Sequence, residues 1–501
     1  MGRLDLVLAG LALPGLAFAI LPGFNNPGNI CETLNSTLPN LVTFPNTTLY
    51  EQSSQYWSLR QAEIRPRCYV TPQTAQHVSK AVKLLITRNV PFTVKSGGHT
   101  GYPGGSNIQD GVTIDLVYMK QITISPDRKT VTVGPGNRWV DVADVLDPLG
   151  LAVIGGRSSN VGVSGLLLGG GISYFSGLHG WACDNVKLYE IVVASGDIIT
   201  ATATKNSDLF WALRGGGGSN FGIVTKFELN SFEQGELWAS SLILHPSVNA
   251  TYVDVLQSFA VNGNLQDPAA HHYFIMAYAR EFGGFIVLSD QFHPSKKTIP
   301  DVFKPLHQVP PQLVYMNNTR LDKVAGLTRA SEGRLGARQN FAVMAVKATS
   351  AGLIHDFVAM WKEFVDRIVA ETPEGVRLQP MMVIQPITVG VIQMMQRNGG
   401  NALGLKPSDG PLFLVMLSWE WDERSLDEKL EGESKKLLDE FDRVARQRGL
   451  GNGFVYMNYA SRLQDVYGNY GLLNKGRLAL TALKYDPLMR YKSLWKGYFK
   501  L

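Results

Sequence analysis

Apolar residues recur along the first half of the chain at spacings that predict alternating helices and short strands. A helix is predicted from Thr71-Pro72, an N-cap and first-turn pair, to about Asn89. Its apolar face consists of Ala75, Val78, Val82, Leu85 and Ile86. Short β-branched runs predict strands at Val112–Leu116, Thr130–Val133, Val186–Ala194 and Ile223–Leu229, with helical stretches at Trp139–Leu146 and Asp208–Leu213. This mixture predicts a compact α+β domain over about residues 50–235.

The pattern changes from residue 236 onward. Longer apolar runs predict strands at His272–Ala279, Phe285–Leu288, Phe341–Ala348, Met381–Ile387 and Leu412–Trp421. Amphipathic helices are predicted around Ile354–Ala370 and Ser425–Arg446. Residues 236–450 are therefore expected to form an antiparallel sheet covered by helices on one face. The last stretch, residues 451–501, is polar and rich in aromatic residues.

Composition narrows the class of protein. The 501 residues are too many for one ordinary core, so two domains are expected. A hydrophobic content of 45% and a net charge of +5 describe a soluble globular protein. Without a run of like charges, nothing argues for nucleic acid or an anionic membrane as a partner. CxxC and HExxH motifs are absent, so no metal site is expected.

Residues 1–19 have the features of a signal peptide: Arg3, the apolar stretch Leu6–Leu16 and the cleavage pattern Ala17-Phe18-Ala19. A membrane anchor is the alternative, but the stretch is short for a span. Residues 20–49 would be an N-terminal extension. The secretory route agrees with four glycosylation sequons, at Asn35, Asn46, Asn249 and Asn317.

Three cysteines are few for a secreted chain. Cys31 lies in the N-terminal extension and Cys68 precedes the first predicted helix of the domain. In an oxidising compartment these two could pair and fix the extension to the domain. Cys183 would then remain a buried thiol.

The segment Pro91–Asp115 contains the most informative chemistry. A β-branched run leads into Ser96-Gly97-Gly98-His99-Thr100-Gly101, which exposes successive backbone N–H groups without side chains in the way. Such a loop forms a nest for an anion such as a pyrophosphate. His99 stands in the middle of the loop and is a candidate for a covalent bond to a cofactor.

Two further glycine-rich segments follow, Gly155–Gly180 and Gly215–Val224. Tight turns between strands would explain either one alone. In the first, Gly162, Gly165 and Gly169–Gly171 are free for close backbone approach to a ligand. GxGxxG is absent and no Gly-Lys-Ser/Thr follows, so neither a Rossmann site nor a P-loop is predicted.

The three segments together resemble the FAD domain of the vanillyl-alcohol-oxidase (PCMH) type, and the closest branch is the berberine-bridge-enzyme-like oxidases. This resemblance implies FAD bound covalently through His99. A cysteine that makes a second flavin bond in many of these proteins is replaced here by Ser158, so a single link is expected. The implied cofactor-binding residues are Ser96, Gly97, Gly98, His99, Thr100, Gly101, Ser159, Val161, Gly162, Ser164, Gly165, Gly170, Ile223 and Val224.

Near the end of the chain, Tyr456-Met457-Asn458-Tyr459 resembles a YxNY motif of the same family. The resemblance implies that Tyr459 is a catalytic base and that Asn458 is oriented towards the flavin. A free phenol has a pKa of about 10, too high for an efficient base at neutral pH. We therefore expect a nearby cation, with Lys484 and Arg462 as candidates.

The substrate face is expected on the sheet of the second domain. Gln385, Trp419 and Trp421 are the plausible lining residues, and the two tryptophans share one side of their strand. Core packing is the alternative for each.

The sequence thus predicts an α+β protein with a two-part FAD-binding domain of PCMH type, a substrate domain (236–450) and a C-terminal segment (451–501) that returns to the FAD domain. The expected function is that of a secreted, monomeric FAD-dependent oxidase acting on a small molecule and O2 to give H2O2, in specialised metabolism. Alternatives are a carbohydrate or alcohol oxidase, a dehydrogenase with another electron acceptor, and a non-catalytic binding protein.

Overall fold

Residues 30–501 are described by the computed structural model, so the predicted signal peptide at residues 1–19 lies outside the described residues. The first sheet has the strand order β1-β2-β4-β3, in which β2, β4 and β3 are parallel and β1 is antiparallel. Its strands are β1 (Val42–Thr43), β2 (Cys68–Val70), β3 (Phe92–Lys95) and β4 (Val112–Asp115). The helices of this part are α1 (Ile30–Thr37), α2 (Thr48–Ser53), α3 (Leu59–Ala62) and α4 (Ala75–Thr87).

Helix α4 buries the apolar face expected of it, but its start differs from the prediction. The N-cap is Thr74, whose side chain accepts a hydrogen bond from the backbone N–H of His77. Thr71 instead donates its backbone N–H to the carbonyl of Leu41. A threonine three residues closer to the apolar run therefore provides the cap.

A disulfide joins Cys31 of α1 to Cys68 of β2, as the sequence predicted, and Cys183 is a buried free thiol. The bond fixes α1 to the first sheet, where Leu34 and Val70 share one apolar core.

The second sheet is antiparallel, with the order β5-β6-β10-β8-β9 and with β7 paired to the far end of β10. Its strands are β5 (Ile122–Ile124), β6 (Thr130–Val133), β7 (Leu151–Val153), β8 (Val186–Val192), β9 (Ile198–Ala201) and β10 (Ile223–Glu233). The helices are α5 (Trp139–Leu146), α6 (Val163–Gly169), α7 (Ser176–His179) and α8 (Ser207–Leu213).

The third sheet is antiparallel, with seven strands in the order β14-β11-β13-β12-β16-β17-β15. They are β11 (Leu237–Leu244), β12 (His271–Ala279), β13 (Gly284–His293), β14 (Val314–Asp322), β15 (Arg338–Lys347), β16 (Leu378–Ile387) and β17 (Leu412–Trp421). The helices are α9 (Asn249–Ser258), α10 (Asn264–Gln266), α11 (Val324–Ala330), α12 (Ala351–Ala370), α13 (Val389–Met395) and α14 (Asp427–Gln447).

Helices α9, α12 and α14 cover one face of the third sheet with a shared apolar core, in which Phe357 stacks on Phe441 at 4.2 Å between ring centroids. The opposite face turns towards the second sheet, because residues such as Leu414 and Met416 belong to the core that contains Phe227. The predicted α+β class, with helices on one face of an antiparallel sheet, is confirmed.

Buried ion pairs join the third-sheet region to the first. Arg60 of α3 contacts Glu431 of α14 at 2.6 Å, and Arg338 of β15 contacts both Asp427 and Glu63. Both arginines are buried and each has two acidic partners, so removing these carboxylates would leave an unpaired charge in the interior. The relative position of these elements is therefore held tightly.

The last elements are α15 (Leu472–Tyr485) and α16 (Arg490–Leu494). Tyr491 and Trp495 pack against Phe92 of β3, so the C-terminal residues return to the first sheet. Between residues 30 and 501, no helix has the length and apolar character that a membrane span requires.

Candidate cofactor and active site

A cavity of about 430 Å³ lies where the glycine-rich loops of the first two sheets face the third sheet. This volume falls in the range of small-molecule and cofactor sites. It brings together most of the sequence-predicted residues: Ser96, Gly97, Gly98, His99, Thr100, Ser158, Val161, Gly162, Ser164, Gly165, Ile223, Val224, Asn458 and Tyr459.

Two glycines in the wall touch through their backbones. A Cβ atom built on Gly97 would lie 2.5 Å from Cα of Gly162, and one built on Gly162 would lie 2.5 Å from N of Gly97. Only residues without a side chain permit this approach. The contact joins the loop after β3 to the loop before α6, which come from different sheets.

His99 lies beside this contact, with its ring stacked on Trp57 at 4.1 Å between centroids. Burial, together with a smaller effect of the Arg138 charge, lowers the pKa of His99 to about 4. The imidazole is therefore neutral at neutral pH, with a nitrogen lone pair available for bonding. Trp57, which the sequence did not single out, lines the cavity and holds the ring from one side.

Arg157 is the cation next to Tyr459. Its Nη2 donates to the Tyr459 hydroxyl at 2.8 Å, its Nη1 lies 2.9 Å from Nε2 of His271, and its guanidinium stacks over the ring of Tyr273 at 4.9 Å. The Tyr459 oxygen therefore accepts a charge-assisted hydrogen bond from a permanent cation.

The contact with Arg157 fixes the state of His271. Arginine can only donate, so Nε2 of His271 must be the unprotonated nitrogen. Burial, followed by the charge of Arg157, lowers the pKa of His271 well below its usual range. A neutral histidine and a charged arginine thus form one hydrogen-bonded pair behind Tyr459.

The cations expected from the sequence lie elsewhere. Lys484 pairs with Asp208 at 2.7 Å, and Arg462 pairs with Glu428 and Glu431. Arg157 was missed, although the sequence carried a visible signal: it is the one arginine or lysine within the glycine-rich Gly155–Gly180 segment.

Asn458 anchors the turn that carries Tyr459. Its Nδ2 donates to the carbonyl of Leu166 at 3.1 Å and to the hydroxyl of Tyr456 at 3.0 Å. A Cβ on Gly169 would lie 2.0 Å from Oδ1 of Asn458, so the helix α6 must end in glycine there. The side chain lines the cavity while it fixes the turn to the second loop.

Six predicted residues do not line the cavity. Gly101 packs on the backbone of Gln339, Ser159 donates its backbone N–H to the carbonyl of Thr328, and Gly170 fits between the rings of Trp181 and Tyr456. The three substrate candidates are all buried away from the cavity: Gln385, Trp419 and Trp421.

The position of Trp419 follows from alternation along β17. Trp419 and Trp421 belong to the core under the helices, where Trp419 meets Phe364 edge-on at 5.8 Å. The other side of the strand carries Met416, Ser418 and Glu420, which line the cavity. A serine and a glutamate in an otherwise apolar strand were the signal for the correct face.

The third sheet forms one side of the cavity, here called the roof, which has an apolar and a polar part. Its apolar surface consists of Phe341, Met381 and Met416. Gln339 and Glu420 supply polar groups, joined by a hydrogen bond of 3.2 Å.

The loops fit a flavin dinucleotide. No hydrogen bond within residues 30–501 uses the backbone N–H groups of Gly97, Gly98 or Thr100. Backbone donors without partners in a cavity wall suit a pyrophosphate, and a neutral His99 beside them suits a covalent attachment. Together with Tyr459 in the same cavity, these residues give the site the features of a flavin-dependent oxidoreductase.

Comparison with known proteins leads to the same class. Residues 66–202 match the family described as FAD binding domain. The chain is 32% identical over 522 residues to the FAD-dependent monooxygenase tpcD of Cochliobolus heterostrophus, covering 100% of this chain and 99% of that protein. It therefore belongs to the FAD-dependent oxidoreductases.

The fold is also found in solved structures. Xylooligosaccharide oxidase of Myceliophthora thermophila aligns with a TM-score of 0.74 at 22% identity, covering 95% of this chain and all of that one. BBE-like 1 of Physcomitrella patens aligns with a TM-score of 0.74 at 20% identity, covering 93% and 98%. The fold is thus that of the berberine-bridge-enzyme-like proteins.

The glycine contact generates a paired prediction. Gly162→Ala should lower the thermal midpoint of the cofactor-free protein by several degrees, because forcing a methyl group between the loops costs about 1–3 kcal/mol. Gly165→Ala should leave that midpoint unchanged, since its Cβ would enter open space, but should reduce the flavin retained.

Thermal unfolding and absorbance of the purified variants measure both effects. Gly432→Ala on α14, where a Cβ also meets nothing within 4 Å, is the matched control. An unchanged midpoint and full flavin content for Gly162→Ala would contradict the assigned contact.

Proposed function

We propose that this protein is a secreted oxidase with one covalently bound FAD, which oxidises a CH–OH or CH–NH carbon of a small metabolite and reduces O2 to H2O2. The observation that carries the proposal is the hydrogen bond from Arg157 to Tyr459, in the same cavity as His99. Such a reaction requires an oriented base and a residue that can attach the flavin, both lining the same cavity.

The chain's residues suggest how the cofactor would be held. The loops around Gly97 and Gly162 would hold the pyrophosphate through their backbone N–H groups. The neutral His99 would form the covalent bond, and Ser158 has no thiol for a second one. Bound FAD would supply an electron-pair acceptor that O2 can reoxidise.

Tyr459 would remove the proton from the substrate hydroxyl or amine. The hydrogen bond from Arg157 would orient the Tyr459 oxygen for this role, and the second hydrogen bond of Arg157, to His271, keeps the guanidinium in place. Asn458 holds the turn in register with α6 through the carbonyl of Leu166. The base would thus be oriented before substrate arrives.

The roof supports a substrate with an apolar body and a polar group. Phe341, Met381 and Met416 would contact the body, and Gln339 with Glu420 would contact the polar end. An aromatic or aliphatic intermediate of specialised metabolism fits this division. A carbohydrate, such as the xylobiose in complex with the Myceliophthora oxidase, is the second candidate.

Secretion is supported by two observations. The disulfide between Cys31 and Cys68 suits an oxidising compartment. The sequons at Asn46 and Asn317 are exposed, and those at Asn35 and Asn249 are partly exposed, so glycans can be accommodated.

The covalent bond is tested by replacing His99. Acid-precipitated wild-type protein should retain about one flavin per chain, whereas His99→Ala should retain almost none, because the tether is gone. The measurement is the visible spectrum of the washed pellet. His355→Ala, on the surface beside Asp254, is the control. Full acid-stable flavin in His99→Ala would refute the assignment.

The base is tested by anaerobic mixing with substrate, followed by the loss of flavin absorbance. Tyr459→Phe should slow this half-reaction about a hundredfold or more. Arg157→Gln should slow it about tenfold, because the Tyr459 oxygen loses its charged hydrogen-bond donor, and Arg157→Lys should restore part of the rate. Lys484→Gln is the matched control; equal losses in Lys484→Gln and Arg157→Gln would overturn the assignment.

The fate of the oxygen atoms distinguishes an oxidase from a monooxygenase. The distinction matters because the relatives are named FAD-dependent monooxygenases. An oxidase forms one H2O2 for each O2 consumed and each product formed. Turnover under ¹⁸O2, with mass spectrometry of the product, should therefore give unlabelled product and stoichiometric peroxide. Label in the product would favour a monooxygenase, and turnover without oxygen uptake would favour a dehydrogenase.

A further inference from the structure

Helix α15 has its apolar face turned outward. Leu472 and Leu473 are each 87% exposed, Leu480 is 71% exposed, and Leu483 is 48% exposed. With 3.6 residues per turn, these positions and Gly476 fall within about a third of the helix circumference. A soluble monomer rarely exposes so much contiguous apolar surface without a partner.

The stripe continues past the end of the helix. Leu488 is 73% exposed and Met489 is 46% exposed. Met489 adopts the left-handed backbone conformation (φ 50°), in which an unbranched non-glycine residue is uncommon. We call the set Leu472, Leu473, Leu480, Leu483, Leu488 and Met489 the leucine face.

The other side of α15 is well anchored. Leu478 is fully buried and reaches the third glycine loop, where a Cβ on Gly216 would lie 2.6 Å from its Cδ2. Arg477 stacks on the ring of Trp211 at 3.8 Å, and Lys484 pairs with Asp208. Helix α15 is therefore already packed on the core through its other side, and the leucine face remains exposed to solvent.

The charge in the part of the chain that carries the leucine face is mainly positive. Residues 471–501 contain seven lysines and arginines and one acidic residue, Asp486. Of the seven, Lys500 donates to the backbone carbonyl of Ser219 in the interior and Lys484 is paired with Asp208, which leaves five. Asp486 is buried and accepts the backbone N–H groups of Arg490 and Tyr491, so it does not offset the surface charge. Lys492 and Lys496 are exposed, and neither has an ion pair among the described residues.

We propose that the leucine face docks this protein on an anionic phospholipid surface. An amphipathic helix with leucines flanked by lysine and arginine lies in the plane of a membrane interface, with its apolar side among the acyl chains and its cations at the phosphates. A second copy of the chain is less suited, because it would bring two basic surfaces together. The composition alone did not predict this, since the basic residues form no run.

The test is sedimentation of the flavin-loaded protein with lipid vesicles. Vesicles of phosphatidylcholine with about 30% phosphatidylserine should bind it about tenfold more tightly than phosphatidylcholine alone. Raising the salt from about 0.05 M to about 0.5 M should weaken the binding. Wild-type protein that fails to sediment, or that binds both vesicles equally, would overturn the proposal.

Two variants locate the surface. Leu473→Asp/Leu480→Asp should abolish binding, and Lys492→Glu/Lys496→Glu should remove the preference for phosphatidylserine while the fold is kept. The matched control, Leu265→Asp/Leu149→Asp, changes two exposed leucines elsewhere and should bind as wild type. Flavin content and thermal midpoint, measured on the same samples, separate this result from any failure of the proposed oxidase function. Loss of a dimer by Leu473→Asp/Leu480→Asp in sedimentation velocity, without vesicle binding by wild type, would assign the surface to self-association instead.

Discussion

The cavity depends on the backbone contact between Gly97 and Gly162. These residues belong to loops from different sheets, and a side chain on either would force the loops apart. Their contact sets the position of His99 and of α6, and Gly169 at the end of α6 in turn receives Asn458. The cavity wall that contains His99 and the turn that contains Tyr459 are thus positioned by one close approach.

Arg157 joins distant parts of the chain at the same cavity, through polar contacts. It joins Tyr459 near the end of the chain to His271 and Tyr273 at the start of β12. Because a guanidinium only donates, it makes the Tyr459 oxygen and the His271 Nε2 acceptors. One side chain on the second glycine-rich segment therefore determines which atoms of Tyr459 and His271 act as acceptors.

The sequence predicted what is encoded locally. Helix α5 and strand β17 have the predicted bounds, and the glycine loops and the turn at Tyr459 meet in one cavity. For the tryptophans of β17 the sequence left lining of the substrate face and core packing as alternatives, and the structure shows core packing. The two could not be separated because a strand buried on both sides has apolar residues at nearly every position, which hides its alternation. Arg157 was missed because its partners lie more than 100 residues away, a distance that no local pattern spans.

The spread of the cavity wall along the chain has a consequence for biosynthesis. Trp57 and His99 leave the ribosome early, whereas Tyr459 and Tyr498, on other walls of the cavity, leave near the end. Domains fold in the order of their synthesis, so the early loops exist for some time with one side open to solvent. Closure of the cavity around a cofactor must therefore wait until nearly the whole chain has been synthesised.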